Sequence, residues 1–245
     1  ADLIAFGRQS IADPDLPAKA RTGQLETLAP CIGCLLGCVP NMFAGKPITC
    51  AVNPCVGRET ELTPAAVSKR VVVVGGGPGG LYAAWISALR GHQVTLLEKG
   101  EELGGNFRIA SFPTGKGQLS EAIRSLIVKC QKAGVELRAG AEATEESLKA
   151  LAPEAIILAT GSTPLVLPIP GLADCGYVTA QDMLEGKAPM GRKVLVVGGG
   201  MVGCEAAEYL AERGHQVAII EMKDVIAADV TPENRRYMFE NFEEN

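Results

Sequence analysis

The sequence predicts an α/β protein built on parallel, doubly wound sheets, and three observations carry that reading. From Val71 onward, apolar runs of strand length alternate with helix-length segments. Two strand-to-helix junctions are glycine-rich turns, VVVVGGGPGGLYAAW and VLVVGGGMVGCEAAEY. Their glycines are displaced by 123 positions, and Val71–Glu98 aligns on Val194–Glu221 through VVGGG, the helix alanines, RGHQV and the closing glutamate. Two copies of one βαβ unit are therefore expected.

The elements follow in order. LIAFG, from Leu3 to Gly7, reads as a short strand, and a proline-rich polar segment continues through Pro17. Residues 31–60 read as loop, rich in glycine, proline and cysteine. The regular part then runs strand Val71–Val74, helix Gly79–Arg90, strand Val94–Glu98, helix Gln118–Ala133 and strand Val135–Arg138. An apolar run, Ala155–Ala159, ends at Thr160–Gly161, and Pro164, Pro168 and Pro170 mark a connector. The second copy gives strand Val194–Val197, helix Val202–Arg213 and strand Val217–Glu221. RRYMFENFEEN closes the chain as a polar, helix-like stretch with a solvated acidic face. An opening Ala1 in place of Met suggests a segment of something longer.

Each glycine turn has the G-x-G-x-x-G spacing of a dinucleotide site. The first glycine permits the tight turn, the second leaves room for a pyrophosphate, and the third lets helix and strand pack closely. The phosphates then meet free N–H groups at the positive end of the helix dipole. Gly75, Gly77 and Gly80 fill these roles in the first copy; Gly198, Gly200 and Gly203 fill them in the second. Glu98 and Glu221 end the following strands, 23 residues after each first glycine, where a carboxylate can accept from ribose hydroxyls. A carboxylate there repels a 2′-phosphate, so Glu221 favours NADH over NADPH, a preference tempered by the nearby Lys223.

The cysteines read C-x2-C-x3-C-x11-C: Cys31, Cys34, Cys38 and Cys50. Three thiolates within eight residues can wrap one face of an iron–sulfur cluster, and a fourth from the next loop completes the set. Zinc usually draws on two separated ligand pairs, so this spacing favours it less. Cys55 rivals Cys50 as the fourth ligand. His92 and His215 occupy equivalent Gly-His-Gln-Val turns and are read as solvated surface. Cys130 and Cys204 lie in helical stretches and are expected in the core; Cys175 is assigned no role.

A net charge of −5 argues against nucleic acid or an anionic membrane as partner, because both need a basic face. The longest apolar runs are strand-length, so no span is expected. ADLIAFGRQS lacks a basic start followed by an apolar stretch, and no secretory leader is read there. Eight cysteines, four of them closely spaced, suggest a metal site in a cytoplasmic protein more than a secreted disulfide scaffold.

With these residues in view, the chain resembles the iron–sulfur flavoenzymes of the 2,4-dienoyl-CoA reductase, 2-enoate reductase and trimethylamine dehydrogenase family, whose FAD/NAD(P)-binding part is Rossmann-like and disulfide reductase-like. ADLIAFGRQSIADPDLPAK resembles the last strand and exit of a (β/α)8 barrel, where Gly7 and Arg8 would grip FMN phosphate. APCIGCLLGC…PITCAVNPCVGRE resembles the 4Fe–4S loop, with Cys50 matching the fourth ligand and Cys55 a departure. GGGPGGLYAA with Glu98 and ELGGNF, including Gly105, resembles the FAD half; ATGSTP, with Thr160 and Gly161, resembles the turn that closes it. The second copy resembles the NAD(P)H domain.

The resemblance implies a barrel end over residues 1–30 and a 4Fe–4S loop over 31–60. It implies an incomplete FAD domain over 69–185 and an incomplete NAD(P)H domain over 190–245. Electrons would run from NADH to FAD, through the 4Fe–4S cluster to FMN, and reduce an activated C=C bond of an enoate or enoyl-CoA. The substrate site would lie on the missing barrel, so no catalytic residue is assigned to this segment. A homo-oligomer is compatible with the sequence. Alternatives are an amine dehydrogenase of the same family, an electron-input subunit like that of glutamate synthase, and a nucleotide-binding electron carrier with no substrate of its own.

Overall fold

The computed structural model describes residues 2–244, which divide into two compact units. The first runs up to Ser111 and includes Gly115–Ser162; the second comprises Phe112–Thr114 and the chain from Thr163 onward.

The first unit opens with three short helices, α1 (Arg8–Ala12), α2 (Leu16–Thr22) and α3 (Val39–Phe43). Then come β1 (Arg70–Val74), α4 (Pro78–Leu89), β2 (Gln93–Leu97), α5 (Gly105–Ile109), α6 (Gly117–Lys132), β3 (Glu136–Arg138), α7 (Glu145–Leu151) and β4 (Ala155–Leu158). The four strands are parallel in the order β3-β2-β1-β4, the arrangement of one half of a dinucleotide-binding fold. Val71 pairs with Val94 and Ala155, and Val73 with Leu96 and Ile157. These side chains share one face, since alternate residues of a strand point the same way. α4 and α6 cover that face with Leu81, Ala84, Ile123, Leu126 and Cys130. The Cys130 thiol is fully buried and bonds the Leu81 carbonyl; burial pushes it up to about 12, so it stays neutral as a core residue. On the opposite face Ile156 and Leu158 are exposed.

Two readings of the N-terminal segment change. Leu3–Gly7 forms no strand: a strand needs a hydrogen-bonded neighbour, none of the described strands pairs with it, and Leu3, Ile4 and Phe6 are exposed. The stretch through Pro17 is helical instead, because Pro17 falls in the first turn of α2, where a missing N–H costs no intrahelical bond. A buried ion pair holds this segment in place. Asp13 accepts from Lys19 Nζ (2.6 Å) and from the Ala29 amide (2.9 Å), while Lys19 also reaches the Thr27 carbonyl (3.1 Å).

The second unit contains α8 (Ala180–Leu184), β5 (Lys193–Val197), α9 (Met201–Ala211), β6 (Gln216–Ile220) and α10 (Pro232–Glu244). β5 and β6 pair in parallel, Val194 opposite Val217 and Val196 opposite Ile219. Ala206, Leu210 and Met183 pack on Val194, Val196 and Val217. Cys204, with Ala227 and Met238, packs beside Ile219, so Cys204 is core as expected. Leu195, Val197 and Ile220 are exposed on the other face. Among the described residues no helix is long and apolar enough to cross a membrane.

Candidate functional site

β1 stops where Gly75 enters the left-handed region, φ +111°, and a side chain there would overlap the Ala159 carbonyl. Gly80 packs equally tightly, since a Cβ on it would overlap the Gly75 carbonyl oxygen. Between them Gly77 caps α4 in an extended conformation, and a Cβ on it would meet nothing within 4 Å. The loop is thus closed behind and open in front. The first N–H groups of α4 have no intrahelical acceptor, which suits a helix N-terminus to an anion. Gly105 lies against the same corner, a Cβ there standing 3.1 Å from the Gly77 Cα. β4 pairs alongside β1 and brings Ala159 and the Thr160 amide next to Gly75; Gly161 follows with φ +73°, in the left-handed region.

The carboxylate after β2 does something the motif did not predict. Glu98 accepts from the Gly76 amide through one oxygen (2.6 Å) and from the Gly100 amide through the other (2.7 Å). It locks the glycine loop to the end of the strand. Each carboxylate oxygen has a second lone pair, so capacity for ribose hydroxyls remains.

The second unit repeats this construction. Gly198 has φ +103°, and a Cβ on Gly203 would overlap the Gly198 carbonyl. Glu221 accepts from the Gly199 amide (2.7 Å) and the Lys223 amide (2.9 Å). These two bonds, that of Lys223 first, hold its carboxyl below the usual range. The likeness runs past the glutamates: Gly104 donates to the Gly76 carbonyl (2.8 Å), and Ala227 donates to the Gly199 carbonyl (2.6 Å). Leu103 and Ile226 pack at corresponding glycines, Gly76 and Gly199. One difference stands out. Asp229 accepts from the Met201 amide at the start of α9 (2.9 and 3.2 Å to its two oxygens). No sequence motif flagged Asp229, although the 123-residue offset carried eight residues past Glu98 and Glu221 pairs it with Asn106.

The cysteine segment is sewn to the rest of the first unit. The Cys31 amide donates to Gln9 Oε1 (2.8 Å), Asn53 Nδ2 donates to the Ile11 carbonyl (2.8 Å), and the Tyr82 hydroxyl of α4 bonds the Val52 carbonyl. Thr49 donates to the Gly37 carbonyl (2.9 Å), joining the arm that carries Cys38 to the arm that carries Cys50; a side chain on Gly37 would overlap Thr49. Cys31, Cys34, Cys38, Cys50 and Cys55 are half-buried, and no disulfide forms. The Cys50 thiol is pushed up first by burial and further by the neighbouring Cys34 and Cys31. Among the described residues no three His, Cys, Asp or Glu side chains converge on a single metal ion. A 4Fe–4S cluster, with one thiolate on each iron, spreads its ligands more widely, and an all-thiol set suits it.

The remaining candidates are surface features. Arg8 opens α1 directly after Gly7, and both are exposed. His92 Nδ1 accepts from the Lys69 amide (3.1 Å), and His215 Nδ1 lies 2.8 Å from the Gly191 carbonyl. Both rings brace turns, a role beyond the solvated surface read from the sequence.

The pyridine nucleotide-disulphide oxidoreductase family profile matches residues 69–245. An NADH oxidase of Thermoanaerobacter brockii is 44% identical over 250 residues, an alignment covering 99% of this chain and 38% of that protein. A cinnamate reductase of Clostridium sporogenes is 39% identical, covering 92% of this chain and 34% of that protein. Among solved structures, a 2-naphthoyl-CoA reductase in complex with 2-naphthoyl-CoA superposes with a TM-score of 0.92 at 36% identity, over 97% of this chain and 36% of that one. The chain thus spans little more than a third of the length of these proteins.

The contrast between open and closed glycines gives a stability test. Gly80→Ala should cost about 1–3 kcal/mol, as overpacking does, and Gly77→Ala less than about 1 kcal/mol. Thermal unfolding of the two variants checks this; equal losses would contradict the loop geometry.

Proposed function

The chain belongs to the pyridine nucleotide-disulphide oxidoreductase family, in the branch of 2,4-dienoyl-CoA reductase, 2-enoate reductase and trimethylamine dehydrogenase, and we propose that it is the electron-input and relay segment of an NADH-dependent flavin and iron–sulfur oxidoreductase. The observation that carries this reading is the cradle at Gly77, open to a pyrophosphate while Gly75 and Gly80 are closed by backbone. Gly75, Gly77, Gly80, Glu98, Gly105, Thr160 and Gly161 hold FAD. Gly198, Gly200, Gly203 and Glu221 receive NADH. Cys31, Cys34, Cys38 and Cys50 bind a 4Fe–4S cluster, and Gly7 with Arg8 contributes to an FMN phosphate site.

When bound, these groups supply hydride transfer from NADH to FAD and single-electron passage through the cluster to FMN, where an activated C=C bond of an enoate or enoyl-CoA is reduced. The chain's own residues bind and orient. The N-terminus of α4, at the carboxyl end of β1, would receive the pyrophosphate of one dinucleotide, and the Tyr82–Val52 bond ties that helix to the cysteine loop. A reductase substrate is supported by relatives named cinnamate reductase and 2-naphthoyl-CoA reductase. The intact second glycine loop favours NADH as electron source over an amine dehydrogenase running electrons outward. Four closely spaced cysteines suited to a metal cluster support a cytoplasmic setting more than a secreted one.

Anaerobically purified complete protein should carry about four irons and four sulfides in this segment, one iron per thiolate ligand. Cys50→Ser should lose them and Cys55→Ser keep them. Zinc without sulfide, or the reverse pattern of the two variants, would contradict the assignment.

NADH should reduce the bound flavin in preference to NADPH by on the order of tenfold, the scale of one charged hydrogen bond. Glu221→Arg should narrow or invert that ratio. Because the Glu221 carboxyl is held below its ordinary value, its charge survives acidification, and the preference should persist down to about pH 5. Equal use of the two coenzymes by the unsubstituted protein would remove Glu221 from the site.

A further inference from the structure

The two glycine loops differ at the point where a pyrophosphate would sit. In the first, the residue after Gly77 is Pro78, which has no N–H, and the space in front of Gly77 is open. In the second, the corresponding residue is Met201, whose N–H is already taken by the Asp229 carboxylate. The same carboxylate lies 3.3 Å from where a Cβ on Gly200 would stand, so it fills the opening that the second glycine leaves. At the position 123 residues earlier the first repeat has Asn106, an uncharged amide whose Nδ2 donates to the Ser162 carbonyl (3.4 Å).

An aspartate on a helix N-terminus is a good cap on its own account. Here it stands where a nucleotide anion needs the same donor. We infer that Asp229 is a built-in competitor for the pyrophosphate of the dinucleotide bound by the second unit, and that it sets the affinity of that site. The inference rests on the reading of the second unit as the NADH site. Asp229 is exposed, whereas Ala227, two residues before it, is buried and tied to the Gly199 carbonyl. The backbone of the loop is therefore anchored, and the carboxylate leaves by side-chain rotation. Nucleotide binding frees Asp229, and its return to Met201 favours release. The first loop, with the uncharged Asn106 at that position, retains its dinucleotide, while the second exchanges it.

The test is calorimetric titration of the oxidised complete protein with ADP-ribose, which carries the adenosine and pyrophosphate of NADH without its redox chemistry. Gly200→Glu identifies the site by abolishing binding. Asp229→Asn should tighten ADP-ribose by about five- to tenfold, the scale of removing one like-charge contact near a solvated surface. It should leave adenosine, which lacks the pyrophosphate, unchanged. Asp224→Asn, an equal charge change in the same loop, should alter neither. Should the Asn variant lose its fold by circular dichroism, Asp229→Ser keeps a capping oxygen without the charge and should give the same tightening. Unchanged or weaker ADP-ribose binding by a folded Asp229 variant would overturn the inference, as would equal tightening by Asp224→Asn. If Gly200→Glu leaves ADP-ribose binding intact, the assignment of the second unit falls, and the role of Asp229 with it.

Discussion

The contact between the third glycine of each loop and the carbonyl of the first sets the geometry on which the rest depends. Gly80 against Gly75 and Gly203 against Gly198 leave no space for a side chain, so α4 and α9 start hard against the strands they follow. That closeness sets the helix N-terminus, with its unbonded N–H groups, at the strand end. A glutamate at the end of the next strand then fixes the loop from outside by accepting two amides. The same backbone solution thus appears twice, and the chemistry of each site is decided by what stands in front of it.

Much of this was legible in the sequence, because glycine spacing and strand–helix alternation are direct consequences of backbone sterics. The six strands, with α4, α6 and α9, fall within a residue or two of the pattern, and Cys130 and Cys204 lie in the core as their helical context implied; the short helices α5, α7 and α8 were missed because five to seven residues show too little periodicity, and α10 starts three residues before Arg235. The N-terminal segment was less legible. LIAFG has the composition of a strand, but a strand is a property of a pair, and among the described residues nothing pairs with it. Prolines concealed α2, since a proline stops a helix in its interior but suits its first turn. Asp229 could not be found from a motif, because a lone acid in a loop carries no signature. Only the repeat offset, extended to the end of the shared loop, singles it out.

The cysteine segment shows how a loop without regular structure becomes a scaffold. The buried Asp13–Lys19 pair, the Gln9 side chain and the Tyr82–Val52 bond tie it to the first unit at several points, and Thr49 joins its two arms at Gly37. Two of these ties come from α1 and α4 themselves. Any group held by the four thiols would therefore be positioned relative to the first glycine loop by one continuous set of bonds.

The central claim is that the two loops are unequal, one retaining its dinucleotide and the other exchanging it. It is tested most directly by dialysing the complete protein exhaustively, denaturing it, and identifying the released nucleotides by chromatography. The account predicts one FAD for every chain and no nicotinamide nucleotide. Retained nicotinamide nucleotide, or protein that binds NADH yet has lost its FAD, would contradict it.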